Sequence, residues 1–232
     1  MFQCVNKSVS LNQAEKRNSV ISDIASTIRN LAHEPETCDT LVTKGPWTPN
    51  EDNRRLTDQF IAECANTTVN GGKVPNITLE TMYEPYKVSE SDCQKFDKIF
   101  RKFREDILPY IGVSTFSGIQ NTLYDLFRIF FYMEKNNIEV KDVDAFLKGF
   151  VSVVMDLLDE TTIDPFTGRK VSKSYDNPSW TKGPKTFHRI KGGMQQVNCE
   201  MRMKLIRNEG NIRGNVDALK FDLQDDDFLD AL

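Results

Sequence analysis

The chain has 232 residues, 39% hydrophobic and 28% charged, with a formal net charge of −4. That length makes one large domain or two small ones and buries a sizeable core, and the ordinary composition excludes bulk disorder. No run approaches the roughly 18 apolar residues of a membrane span, so no membrane partner is expected.

The cysteines, Cys4, Cys38, Cys64, Cys93 and Cys199, are odd in number and none forms a CxxC pair. With only His33 and His188 beside them, they make no zinc pattern, and no metal or cofactor is expected. The opening residues, MFQCVNKSVS, have no apolar h-region, which predicts no secretory signal. Reduced thiols in a cytoplasmic or nuclear compartment follow. The Asn-x-Ser/Thr triplets at Asn6, Asn66 and Asn76 then carry no meaning for glycosylation.

Taken in order, residues 11–32 read as the first helix. Leu11, Ala14, Ile21, Ile24, Ala25, Ile28 and Leu31 approximate one face, and Ser10 with Gln13 fits a capping box. Such a terminal amphipathic helix packs on its own core or on a neighbouring subunit. Residues 33–47, with Pro35, Gly45 and Pro46, read as a linker.

Thr48, Pro49 and Glu51 then open a second helix, with Thr as cap and Pro at the first helical position. Leu56, Phe60, Ile61 and Cys64 supply its apolar stripe. Lys44-Gly45-Pro46-Trp47-Thr48 followed by Glu51-Asp52 resembles the opening of a Myb repeat. That family carries further tryptophans, or bulky substitutes, at intervals near twenty residues, with a recognition helix after them. Here the next tryptophan is Trp180. The sequence therefore favours Trp47 as a hydrophobic staple on a capped helix.

Residues 66–88, rich in Gly, Pro, Asn and Thr, read as a long loop with an extended piece at 74–79. The Gly71-Gly72-Lys73 triplet lacks the rest of a phosphate loop. Ser89 or Ser91 caps a helix to about Leu108, with Phe96, Ile99, Phe100, Phe103 and Ile107 on its apolar face. Lys95, Lys98, Arg101, Lys102 and Arg104 lie around the other side, as a solvated face or as contacts for phosphates.

Residues 115–135 form the most hydrophobic helix, built on Phe116, Ile119, Leu123, Phe127, Phe130 and Phe131. A helix this apolar belongs at the centre of the fold. Asn136-Asn137 is a turn, and a helix over about 141–158 follows. The short connection predicts an antiparallel pair.

The composition changes at Asp159. Residues 159–193 lack a helical stripe, and Asp164-Pro165-Phe166-Thr167-Gly168 reads as a turn of a candidate short β-hairpin. A loop this long in a compact domain has a contact role or is unstructured. Helix resumes over 194–208.

The charge is segregated. Residues 168–213 hold eleven Lys and Arg against three acids, a net of +8. Residues 214–232 hold six Asp against Lys220, a net of −5, which leaves −7 for residues 1–167. In the basic part Arg169, Lys170, Lys173, Lys182, Lys185, Arg189, Lys191, Arg202 and Arg207 are candidate phosphate contacts, with Tyr175 and Trp180 as candidate stacking platforms. In the tail, VDALKFDLQDDDFLDAL, the acids alternate with apolar residues. Phe228, Leu229 and Leu232 are candidate anchors for a protein partner or for another copy of the chain. In composition the tail resembles acidic activation peptides and the terminal peptides by which single-strand-binding proteins recruit partners.

No nucleophile elbow, HExxH, Walker A or Rossmann fingerprint is present, which argues against an enzyme, and no catalytic residue is assigned. The expectation is a mainly α-helical domain of five or six helices, with a long basic loop region and an acidic C-terminal peptide. Its parts are an amphipathic arm and linker (1–47), a helical core (48–158), a basic loop and helix (159–213) and an acidic-hydrophobic peptide (214–232). The functional expectation is a non-enzymatic protein that binds DNA or RNA, of unspecified type, through 168–213 and a protein partner through its tail. The alternative is a self-assembling subunit, such as a viral nucleoprotein or capsid-type protein, that forms homo-oligomers through its arm and tail.

Overall fold

The computed structural model describes residues 13–43, 47, 56–72, 78–111, 120–137, 142–158, 161–163, 169–172 and 185. The fold is mainly α. Eight α-helices occur among the described residues, where sequence predicts five or six. They are α1 (Gln13–Asn18), α2 (Asp23–His33), α3 (Pro35–Cys38), α4 (Leu56–Val69), α5 (Leu79–Tyr83), α6 (Glu90–Asp106), α7 (Gln120–Lys135) and α8 (Val143–Leu158).

The surplus comes from short helices that periodicity does not separate. The expected helix over 11–32 breaks after Asn18. Ser19 Oγ donates to the Lys16 carbonyl at 2.7 Å, and Ser22 starts the next helix by accepting from the Ala25 amide at 3.3 Å. Ser side chains compete in this way with helical backbone bonds. Arg29 closes the break by donating to the carbonyls of Asn18 and Val20, both at 2.9 Å. Ile21, counted on the apolar face from its spacing, lies in this break and is 89% exposed. The expected linker holds α3, opened by Pro35, and a π-helical turn over Asp39–Thr43.

The expected loop over 66–88 is also partly helical. α4 continues through the polar run Asn66-Thr67-Thr68, and all three residues are buried. Thr67 Oγ1 and Tyr124 Oη share a buried hydrogen bond of 2.7 Å. Thr68 Oγ1 donates to the Cys64 carbonyl at 3.0 Å. Polar side chains with partners cost little to bury. The helix ends where Gly72 N–H bonds the Thr67 carbonyl and Gly71 N–H that of Thr68, with Gly71 at φ 68°. This Schellman-type end explains the Gly-Gly pair. Leu79, expected at the end of an extended piece, begins α5, capped by Thr78.

α4 lies at the centre and packs on α2, α6 and α7. Phe60, Ile61, Cys64 and Ala65 are buried there with Ile24, Ile28 and Leu31 of α2. Phenylalanines fill the space between helices. Phe100 of α6 meets the rings of Phe60, Phe96, Phe103 and Phe127 at centroid distances of 5.8–6.4 Å. Trp47 joins this core, edge-on to Phe60 at 5.4 Å. It is thus a tertiary anchor as well as a neighbour of the Thr48 start signal, which lies outside the described residues.

From Leu123 to Phe131 every side chain of α7 is buried, including Asp125 and Arg128. The Arg128 guanidinium lies over the Tyr124 ring at 5.9 Å. Phe127, Phe130, Phe131, Phe146, Phe150 and Val154 share one buried cluster, as their spacing predicts. Both helices contribute to this cluster, and the connection over 138–141 lies outside the described residues. Among the described elements, the main backbone contact of α8 is the 3-10 turn Leu108–Tyr110. After α8, Thr161–Ile163 and Lys170–Ser172 pair antiparallel, with Thr162 opposite Val171.

Candidate functional site: a lysine-lined groove

α6 begins at Ser89, whose hydroxyl accepts from the Asp92 amide at 3.1 Å. Its Phe96, Phe100 and Phe103 recur at steps of four and three and are fully buried. That orientation turns Lys95, Lys98 and Lys102 outward at the same helical spacing, and all three are exposed. Beside them runs the last turn of α7. The two elements enclose a groove of about 450 Å³ lined by Lys95, Lys98, Ile99, Lys102, Phe131, Glu134, Lys135 and Asn137.

Four cations face one carboxylate, which leaves the lining at +3. Lys102 pairs with Glu134 at 2.5 Å. Lys135 donates to the carbonyl of Gly71 at 3.2 Å, which ties the groove to the end of α4. At the same end of α6, burial pushes the Asp106 carboxyl above its ordinary range; Lys102 opposes the rise and Glu134 adds to it. Asn137 takes φ 55° and closes the last turn of α7, a conformation Asn tolerates better than most residues.

The five cations read from α6 thus divide in two. Arg101, half-buried, forks onto Glu34, at 2.8 Å through Nη1 and 2.5 Å through Nη2. Arg104, almost wholly buried, pairs with the same carboxylate. Asp97 also accepts from Arg101 at 2.9 Å, and these bonds raise the Arg101 pKa further. Both arginines therefore hold the start of α3 to α6 through Glu34. Only the lysines face the groove.

No protein-family model, curated protein or solved structure matches the chain. Its site is therefore read from its own residues.

Of the residues assigned from sequence, the structure describes three. Arg169 is exposed just before the second strand, Lys170 opens that strand opposite Ile163, and Lys185 is half-buried. Lys173, Tyr175, Trp180, Lys182, Arg189, Lys191, Arg202, Arg207, Phe228, Leu229 and Leu232 lie outside the described residues. Lys135 is the groove cation that sequence reasoning misses, along with its neighbour Glu134. The signal for it is a cation in the last turn of a helix followed by Asn-Asn. What places it beside α6 is the packing of α7, which no local pattern reports.

Proposed function

We propose that this chain is a non-enzymatic nucleic-acid-associated protein. It holds the phosphate backbone of DNA or RNA, single strands included, through residues 168–213, and engages a protein through its acidic tail. The observation that carries this reading is the net charge of +8 on that segment, with Tyr175 and Trp180 among the cations, in a chain of net −4. Cations of this density release counterions from a phosphate backbone, and aromatic faces stack on unpaired bases. The lysine groove supports the reading by adding a second cationic surface on the folded body.

The test is fluorescence anisotropy with labelled single-stranded and duplex DNA and RNA at a series of salt concentrations. In the variant with Lys182, Lys185, Arg189 and Lys191 changed to Ala, affinity should fall. The single-strand salt slope should shrink by up to about 3, at roughly 0.7 for each phosphate no longer neutralised. Trp180→Ala should weaken single-strand binding more than duplex binding, since stacking needs an unpaired base. Unchanged affinity and slope in the fourfold variant refute the reading.

A second reading, a self-assembling subunit, is favoured by Tyr86. Its side chain is fully exposed although the backbone holds it at φ 63°, a costly conformation for a bulky residue unless something selects for it. Light scattering without oligonucleotide discriminates, because this reading requires a mass well above that of one chain.

A further inference from the structure

The lysine groove has an apolar floor as well as a basic rim. Partly buried Ile99 lines it together with Lys95, Lys98, Lys102 and Lys135, and Phe131, 2% exposed, backs it. A phosphate backbone alone would use the rim and leave the floor unfilled. An occupant that satisfies both must present carboxylates and large apolar groups together. Asp222–Asp230, DLQDDDFLD, does so, with five carboxylates around Leu223, Phe228 and Leu229. Two further runs that mix acids with apolar residues, Asp142–Leu147 and Asp156–Asp159, overlap α8, where Phe146, Leu147 and Leu157 are already buried in the core.

We propose that the groove between α6 and the end of α7 is the docking site of the chain's own acidic tail, and that docking shields its lysines from nucleic acid. Asp225, Asp226 and Asp227 meet the lysine rim, and Phe228 and Leu229 cover Ile99 and the lysine methylenes beside it. The groove volume of about 450 Å³ lies in the range of sites that enclose small ligands, so it seats a few anchors and not the whole tail. Exposed ion pairs are individually weak and screened by salt. The apolar anchors therefore hold the tail, while the carboxylates set its direction and register. Because both partners belong to one chain, docking is intramolecular and a weak contact suffices. A polyanion can then displace it. The docking itself is independent of the proposed function; only the shielding rests on it.

Zero-length carbodiimide coupling of the full chain, read by mass spectrometry, tests the contact. Bonds from Asp225, Asp226 or Asp227 to Lys95 or Lys98 are expected, and Phe228→Ala with Leu229→Ala should abolish them while the helical circular dichroism is unchanged. In an equal mixture of ¹⁴N and ¹⁵N chains these links should be light–light or heavy–heavy. Tail links that reach Lys182–Lys191 instead, fail to form, or join light to heavy chains overturn the proposal. In the anisotropy assay, Phe228→Ala with Leu229→Ala should tighten single-strand binding about tenfold, the gain if the tail occupies the groove nine-tenths of the time. Groove links with no oligonucleotide binding in any variant refute the nucleic-acid reading and leave docking standing. Oligonucleotide binding without groove links does the reverse.

Discussion

Replacing Phe100 by alanine should remove the centre of the aromatic core. Its ring has no solvent exposure and touches four other rings, on α4, α6 and α7. Withdrawing a phenylalanine side chain from the core forfeits about 2–3 kcal/mol of transfer free energy. The remaining cost depends on how far the site collapses. Here the surrounding rings belong to three helices pinned by further contacts. Arg101 and Arg104 hold α6 to Glu34, and the Thr67–Tyr124 bond holds α4 to α7. Little collapse is available, so the loss should fall near the middle of the Phe→Ala range, about 4 kcal/mol. With a urea m-value of about 2 kcal/mol/M, the midpoint should move down by roughly 2 M. Urea denaturation followed by circular dichroism reads this directly, with Ile21→Ala as the exposed control expected to stay within about 0.5 kcal/mol. A loss below about 1 kcal/mol for Phe100→Ala would refute the assignment of this ring to a rigid core.

Tyr124→Phe leaves the Thr67 hydroxyl buried without its partner and should cost about 1–3 kcal/mol, whereas adding Thr67→Val should cost less than the sum of the single changes; additive losses in a double-mutant cycle would exclude the bond. Glu80 titrates below the ordinary glutamate range, chiefly because its own backbone N–H stabilises the carboxylate and secondarily because of Arg17, with burial opposing. Its folded-state pKa is depressed, so its contribution to stability is present above about pH 4.3 and is lost as the pH falls through the folded value. Glu80→Gln should therefore flatten the fall in stability between about pH 5 and pH 3, and an acid limb identical to that of the unaltered chain would show that the Arg17 pair contributes nothing.

Much of the helical framework was legible because periodicity and caps are local. Phe96, Phe100 and Phe103 announce a buried face, and Ser89 announces the start of α6 through one hydroxyl and one nearby amide. The mainly α class follows from several such segments. The segregation of charge is likewise a property of the sequence alone.

Tertiary structure decided whatever depends on a partner far along the chain. Asn66-Thr67-Thr68 looks like loop until Tyr124, more than fifty residues later, supplies a buried hydroxyl. The helix over 11–32 looks continuous until Arg29 folds back to satisfy the carbonyls exposed by its break. On α6, Arg101 and Arg104 are indistinguishable by pattern from Lys95, Lys98 and Lys102. Only Glu34, some seventy residues earlier, claims the arginines, and only the end of α7 gives the lysines a groove. A residue's type and spacing set which face of its helix it occupies. The groups it meets there depend on how helices distant in sequence pack, because packing is chosen by the sum of many long-range contacts.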